Sequence, residues 1–221
     1  MFDAQRQRGG PVGPLHGIPV GIKDICVTEA FPTENGTVLD AGRQPTKDCR
    51  VVTLLKEAGA VIIGKTVTTE LAAYGPGKTR SPHTPDHTPG GSSSGSAAAV
   101  ASNMVPLAIG TQTNGSVIRP ASYCGVIGFK PTHGLIPRVG VLAQSAPLDT
   151  VGTFANSTED IALLTEILVA HDPRDKYTQA RARPRLSETV AQEPPMTPII
   201  AFSKTAVWDQ AELETQEAFS E

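Results

Sequence analysis

Two clusters of hydroxyl side chains and one lysine are the groups in this chain best suited to covalent chemistry. Gly90-Gly91-Ser92-Ser93-Ser94-Gly95-Ser96 leads into a run of small residues, Gly110-Thr111-Gln112-Thr113-Asn114-Gly115-Ser116 follows a short apolar run, and Lys23 closes the segment Ile18-Pro19-Val20-Gly21-Ile22. A serine hydroxyl is a weak nucleophile until a base takes its proton. A lysine is such a base only when neutral, which requires burial or neighbouring donors that bring its pKa from about 10.4 towards roughly 7–8. Lys23, at the end of an apolar strand, is placed for that. Glycine–serine turns taken alone are flexible connectors, so the weight rests on the three segments together.

Other patterns carry less. Gly59-Ala60-Val61-Ile62-Ile63-Gly64-Lys65-Thr66 fits GxxxxGK[ST], the phosphate-cradling loop. Its variable positions are strand formers, however, and the order is helix, strand, turn, whereas a phosphate loop exposes successive amides between a strand and a helix. Nucleotide binding is therefore kept only as a minor alternative, and Lys65 is read as a strand-end lysine contacting backbone or solvent. His16, His83, His87, His133 and His171 are scattered without metal-ligand spacing, so they read as solvated or packed. Cys26, Cys49 and Cys124 are odd in number and lack CxxC or CxxH, which speaks against a disulfide framework and a zinc site. Cys124, on what reads as the approach to a strand, is taken as a small buried hydrophobe.

The elements that must position these groups follow an α/β rhythm. Residues 18–22 read as a strand flanked by turns. Val51, Leu54, Leu55 and Ala58 share a helical face closed by Gly59, and Ala60-Val61-Ile62-Ile63 then reads as a short buried strand. Residues 75–91, with Pro76, Pro82, Pro85 and Pro89, predict a long loop. The serines lie at its junction with a small-residue helix through Ala97-Ala98-Ala99-Val100-Ala101, and Pro106-Leu107-Ala108-Ile109 predicts a buried strand running into the second polar turn. Ser157-Thr158-Glu159-Asp160 has the form of a capped start to a helix reaching Ala170. Residues 172–195 read as a charged, Pro-rich surface excursion. Ile199-Ile200-Ala201-Phe202 reads as a strand, followed by a helix from near Gln210 still running at Glu221.

Gly90 to Ala101, with Gly115-Ser116-Val117-Ile118-Arg119-Pro120-Ala121, resembles the amidase signature family of serine hydrolases. Gly17-Ile18-Pro19-Val20-Gly21-Ile22-Lys23-Asp24 and Cys124-Gly125-Val126-Ile127-Gly128-Phe129-Lys130-Pro131-Thr132 resemble the same family. The resemblance runs from about Gly13 to Ala170 and more loosely to Glu221, with four motifs in the right order. It implies an α/β fold with a mixed sheet covered by helices on both faces, and hydrolysis of a carboxamide to acid and ammonia through an acyl-enzyme, without cofactor or metal. By the resemblance Ser116 is the nucleophile, Ser92 the bridging serine on a cis peptide, and Lys23 the base. The backbone amides of Thr113, Asn114, Gly115 and Ser116 form the oxyanion hole. Arg119 reads either as a ligand for a substrate carboxylate or as a structural tie between loops. The sequence departs from the family where Asn114 replaces the commoner glycine and Gln112 a frequent aspartate; Asn tolerates a positive φ there. Family members are much longer, which makes this chain an expected N-terminal and central portion of one domain spanning 1–221, shortened at both ends.

Composition narrows the rest. The 221 residues carry 21 glycines and 19 prolines, a high share, yet below the roughly 25–30% of low-complexity chains. A formal net charge of −3 and the lack of a Lys/Arg cluster argue against direct nucleic-acid binding. No apolar run approaches the roughly 18 residues of a membrane span, and the amino terminus lacks a secretory h-region. The expectation is a cytoplasmic enzyme acting on a small amide, with a homodimer left open. Two alternatives accompany it: the glutamine-hydrolysing A-type subunit of a tRNA-dependent amidotransferase, and a catalytically inactive shortened fragment.

Overall fold

The computed structural model describes residues 2–9 and 12–220. The chain divides into two compact units, Met1–Ala191 and Gln192–Glu221. The first opens with helix α1 (Phe2–Gln7) and is organised on strands β1 (Pro19–Lys23), β2 (Val61–Thr66), β3 (Leu107–Gln112), β4 (Ile127–Phe129) and β5 (Thr150–Ala155) in the order β2-β1-β3-β5-β4. β1 runs parallel to both β2 and β3, while β5 is antiparallel to β3 and β4. The sheet is mixed, as expected.

Each face has its own helices because side chains alternate along every strand. Val20, Ile22, Leu107, Ile109, Val151 and Ala155 pack with α2 (Arg50–Glu57) and α5 (Thr158–Leu168). Ala108 and Phe154 turn the other way, onto the small residues of α3 (Ser94–Ala101) and onto α4 (Ile118–Cys124). α2 buries Val51, Val52, Leu54 and Leu55, and the chain leaves it through Gly59 at φ +87°. α5 starts as read: the Ser157 hydroxyl accepts from the Asp160 amide at 3.1 Å. Residues 75–91 form a long loop without helix or strand.

Several readings need correction. The strand at 60–63 is an edge strand with a paired neighbour on one side only, and Ile63 is 55% exposed. β3 continues to Gln112, so the polar turn starts at Thr113. Cys124 ends helix α4 instead of approaching a strand, and Gly125, at φ 65°, turns the chain out of that helix. Leu186–Val190 forms a short helix, α6, within the charged excursion.

In the second unit Ile199-Ile200-Ala201-Phe202 forms no strand, and Ile199 and Ile200 are almost fully exposed. An apolar run becomes a strand only when a neighbour takes its backbone hydrogen bonds, and no described residue does so here. The helix beyond it, α7, covers Leu213–Ala218 and is capped at Phe219, while Glu221 lies outside the described residues. Phe202, Trp208 and Phe219 gather around one another with centroids 5.1–6.1 Å apart.

Candidate active site

Lys23 ends β1 beneath the serine-rich turn. Its Nζ donates to Ser92 Oγ at 2.7 Å and to Thr111 Oγ1 at 2.8 Å, and the residue is fully buried. Burial without a bonded carboxylate penalises the ammonium form and pushes the pKa down from 10.5 to about 7, against a smaller opposing influence of Cys26 and Asp149. A neutral amine in this position can accept a hydrogen bond from Ser92 and still donate to Thr111.

The four hydroxyls of the serine turn have separate partners. Ser93 Oγ donates to Thr111 O and accepts from Thr111 N, Ser94 Oγ donates to Gly90 O at 2.7 Å, and Ser96 Oγ donates to Ile109 O at 2.8 Å. Ser92 alone among them faces Lys23. Its peptide bond with Gly91 is cis, and its carbonyl accepts from Thr69 N at 3.0 Å.

Ser116 is buried beside this turn, its carbonyl accepting from Ser93 N at 3.3 Å. Its Oγ makes no hydrogen bond to a described residue, so the structure brings Lys23 to Ser92 and places Ser116 next to them without closing a Ser116–Ser92 bond. The turn before Ser116 is shaped by two neighbours. Gln112 Oε1 accepts from Val117 N at 2.9 Å and Ile118 N at 3.1 Å, capping α4. Gly115 carries the positive φ, 118°, and a Cβ there would fall 2.7 Å from Arg119 Nη2. The positive φ therefore falls on Gly115 and not on Asn114. Among the described residues, no acceptor is paired with the amides of Asn114, Gly115 and Ser116.

Arg119 donates from Nη1 to Gly91 O and from Nη2 to Asn114 O, both at 3.0 Å, and so ties the two serine-bearing turns together. Sequence reasoning missed several participants. Thr111 holds Lys23. Asp149 accepts from Thr113 Oγ1 at 2.6 Å and from the amides of Gln144 and Ser145, and Tyr74 accepts at its hydroxyl from Asn114 Nδ2 at 3.1 Å. Thr111 had one signal, a polar residue inside a strand buried along its length; the others come from segments far away in sequence.

The remaining candidates sit elsewhere. Lys65 lies in β2, 2.9 Å from Asp24 and within hydrogen-bonding distance of Thr33 Oγ1, so its partners are a carboxylate and a hydroxyl as well as the backbone of Pro32. Residues 61–66 are extended, which removes the phosphate-loop geometry. Cys124 is buried, and that burial pushes its thiol up to about 11. His83, His133 and His171 each contact a nearby carbonyl or hydroxyl. Among the described residues there is no group of three or more His, Cys, Asp or Glu side chains placed to hold a metal ion, and no helix is long and apolar enough to cross a membrane.

Comparison with known proteins agrees with this architecture. The profile of the amidase family matches residues 1–221, and the chain belongs to that family. The A-type subunit of the glutamyl-tRNA(Gln) amidotransferase from Chloroflexus aurantiacus is 43% identical over 181 residues, 78% of this chain and 37% of that protein. The crystal structure of the peptide amidase from Stenotrophomonas maltophilia superposes with a TM-score of 0.80 at 37% identity, covering 85% of this chain and 41% of that one. The crystal structure of the corresponding amidotransferase chain from Thermotoga maritima gives 0.74 at 41% identity, covering 77% and 39%. The chain thus spans about two fifths of the length of these relatives.

Proposed function

We propose that this chain carries the nucleophile and base of a serine amidase that hydrolyses a carboxamide to a carboxylic acid and ammonia. The observation that carries the proposal is the buried lysine held near neutrality against a serine hydroxyl, with a second serine in the adjoining turn. Amides resist water because nitrogen donates into the carbonyl and leaves poorly, so the site needs an activated nucleophile, a place for the oxyanion and an acid for the nitrogen.

In this reading Ser116 Oγ attacks the carbonyl carbon. Its proton passes to Ser92 Oγ as the Ser92 proton passes to neutral Lys23 Nζ. The backbone amides of the Thr113–Ser116 turn receive the negative oxygen. The C–N bond then breaks as the proton returns through Ser92 to nitrogen and ammonia departs. Water takes the same route against the acyl-enzyme, giving the acid and restoring Ser116. No cofactor enters these steps. Arg119, with two nitrogens on backbone carbonyls, serves to hold the turns in place.

A second reading, favoured by the names of the relatives, is glutamine hydrolysis as the A-type subunit of a tRNA-dependent amidotransferase, with ammonia passed to a partner. A cytoplasmic location and a homodimer belong to the first reading. The test is ammonia release from propionamide, benzamide and glutamine by the purified chain. Ser116→Ala is expected to abolish both release and labelling by a fluorophosphonate, and Cys124→Ala to leave labelling intact. Labelling that survives in Ser116→Ala and disappears in Cys124→Ala would overturn the assignment.

A further inference from the structure

The segment Thr69–Gly75 lies across the turn that precedes Ser116 and is fastened to it at two points. Tyr74 accepts at its hydroxyl from Asn114 Nδ2 at 3.1 Å, and the Leu71 carbonyl accepts from Gln144 Nε2 at 2.8 Å. Gln144 Oε1 in turn lies 3.0 Å from Thr113 Oγ1, whose proton goes to Asp149, so the second fastening reaches the proposed oxyanion turn by contact with Thr113. A third contact joins the segment to the other catalytic turn, since Thr69 N donates to Ser92 O. Leu71 and Ala72 hold left-handed backbone at φ 48° and 57°, a conformation disfavoured for side chains of their kind and maintained where surrounding structure imposes it.

Apart from Glu70, the exposed side chains of this strap are apolar or aromatic. Glu70, its one charged residue, accepts at Oε1 from Thr37 Oγ1 at 2.8 Å, while Leu71 is 39% and Tyr74 80% exposed. A phenol ring anchored by its hydroxyl has its faces free to stack, and it loses little conformational freedom on doing so. Asn114 supplies the anchor.

We propose that Tyr74 is a specificity-determining residue of the reaction, held over the oxyanion turn by Asn114, and that it selects amides whose acyl group carries an aromatic face over small aliphatic amides. This rests on the amidase reading above. Ring stacking of this kind corresponds to a severalfold preference.

The experiment measures kcat/KM for benzamide and propionamide in the unsubstituted chain, Tyr74→Phe, Tyr74→Ala and Asn114→Ala. The benzamide to propionamide ratio is expected to fall about threefold to tenfold in Tyr74→Ala. It should fall by less in Tyr74→Phe and Asn114→Ala, which keep a ring but release it, with the change carried by KM for benzamide. Equal losses for both amides in all three variants would mean a merely structural strap and overturn the assignment alone. Absence of turnover of either amide by the unsubstituted chain would overturn the amidase reading, and this assignment with it.

Discussion

Lys23 and Lys65 stand one strand apart at the same end of the sheet, β1 pairing Lys23 with Thr66 and Ile22 with Lys65. Both are largely hidden from solvent, yet their surroundings differ in one respect. Lys65 has the Asp24 carboxylate at 2.9 Å, whereas Lys23 has only the hydroxyls of Ser92 and Thr111. A carboxylate compensates a buried ammonium, and neutral hydroxyls do so far less. Lys65 therefore ties β2 to the loop after β1 through its ion pair with Asp24. Lys23 is held close to deprotonation, which is what its proposed role as base requires. Position on the strand does not separate the two roles; the identity of the partner does.

Replacing each lysine in turn sharpens that contrast most strongly. Lys23→Met should lower kcat/KM for a hydrolysed amide by about 10²–10⁴-fold at pH 7.5, and Lys65→Met by far less. The unsubstituted chain should gain about tenfold in rate per pH unit up to about pH 7 and level off above, as the amine becomes neutral. Equal losses in the two variants would dissolve the distinction.

A stability measurement tests the same difference without activity. The folded pKa of Lys23 is depressed to about 7 against about 10.4 in an unfolded chain. Between those values the unfolded chain binds the additional proton, so the contribution of this group to stability rises with pH, by about 1.4 kcal/mol per unit. Below pH 7 both states are protonated and the cost of burying the ammonium is present in full. Urea unfolding at pH 7.5 and 8.5 should therefore show the unsubstituted chain gaining about that amount relative to Lys23→Met. Parallel changes in the two proteins would mean that Lys23 is not desolvated as described.

A change of comparable size is expected from the other lysine. Lys65→Met leaves Asp24 with the Glu34 amide at 3.2 Å and without its cation. A loss of about 1–2 kcal/mol is expected, seen as a lower urea midpoint at unchanged slope. An unchanged midpoint would make Lys65 dispensable to the fold.

The order of residues alone is enough to locate the segments proposed to carry the chemistry and most of the frame around them. Lys23 at the end of a Val/Ile strand, the serine turn entering a small-residue helix, the face of Val51, Leu54 and Leu55, and the Ser157 cap are local patterns, and local patterns survive folding. β4 was not legible, being three residues long, nor was β5, in which Gly152 and two threonines blur the alternation. Ile199–Phe202 has the look of a strand because propensity is local, while pairing depends on a neighbour that sequence does not name.

The electrostatics, by contrast, come from packing. That Lys23 meets Ser92 and Thr111, 69 and 88 residues away, and that Asp24 falls to Lys65 and not to Lys23, depends on which strands lie side by side. Residue types and spacing along the chain specify which groups are present, but a pKa and a proton path depend on the dielectric and on the partner within about 3 Å, and both are properties of the packed molecule.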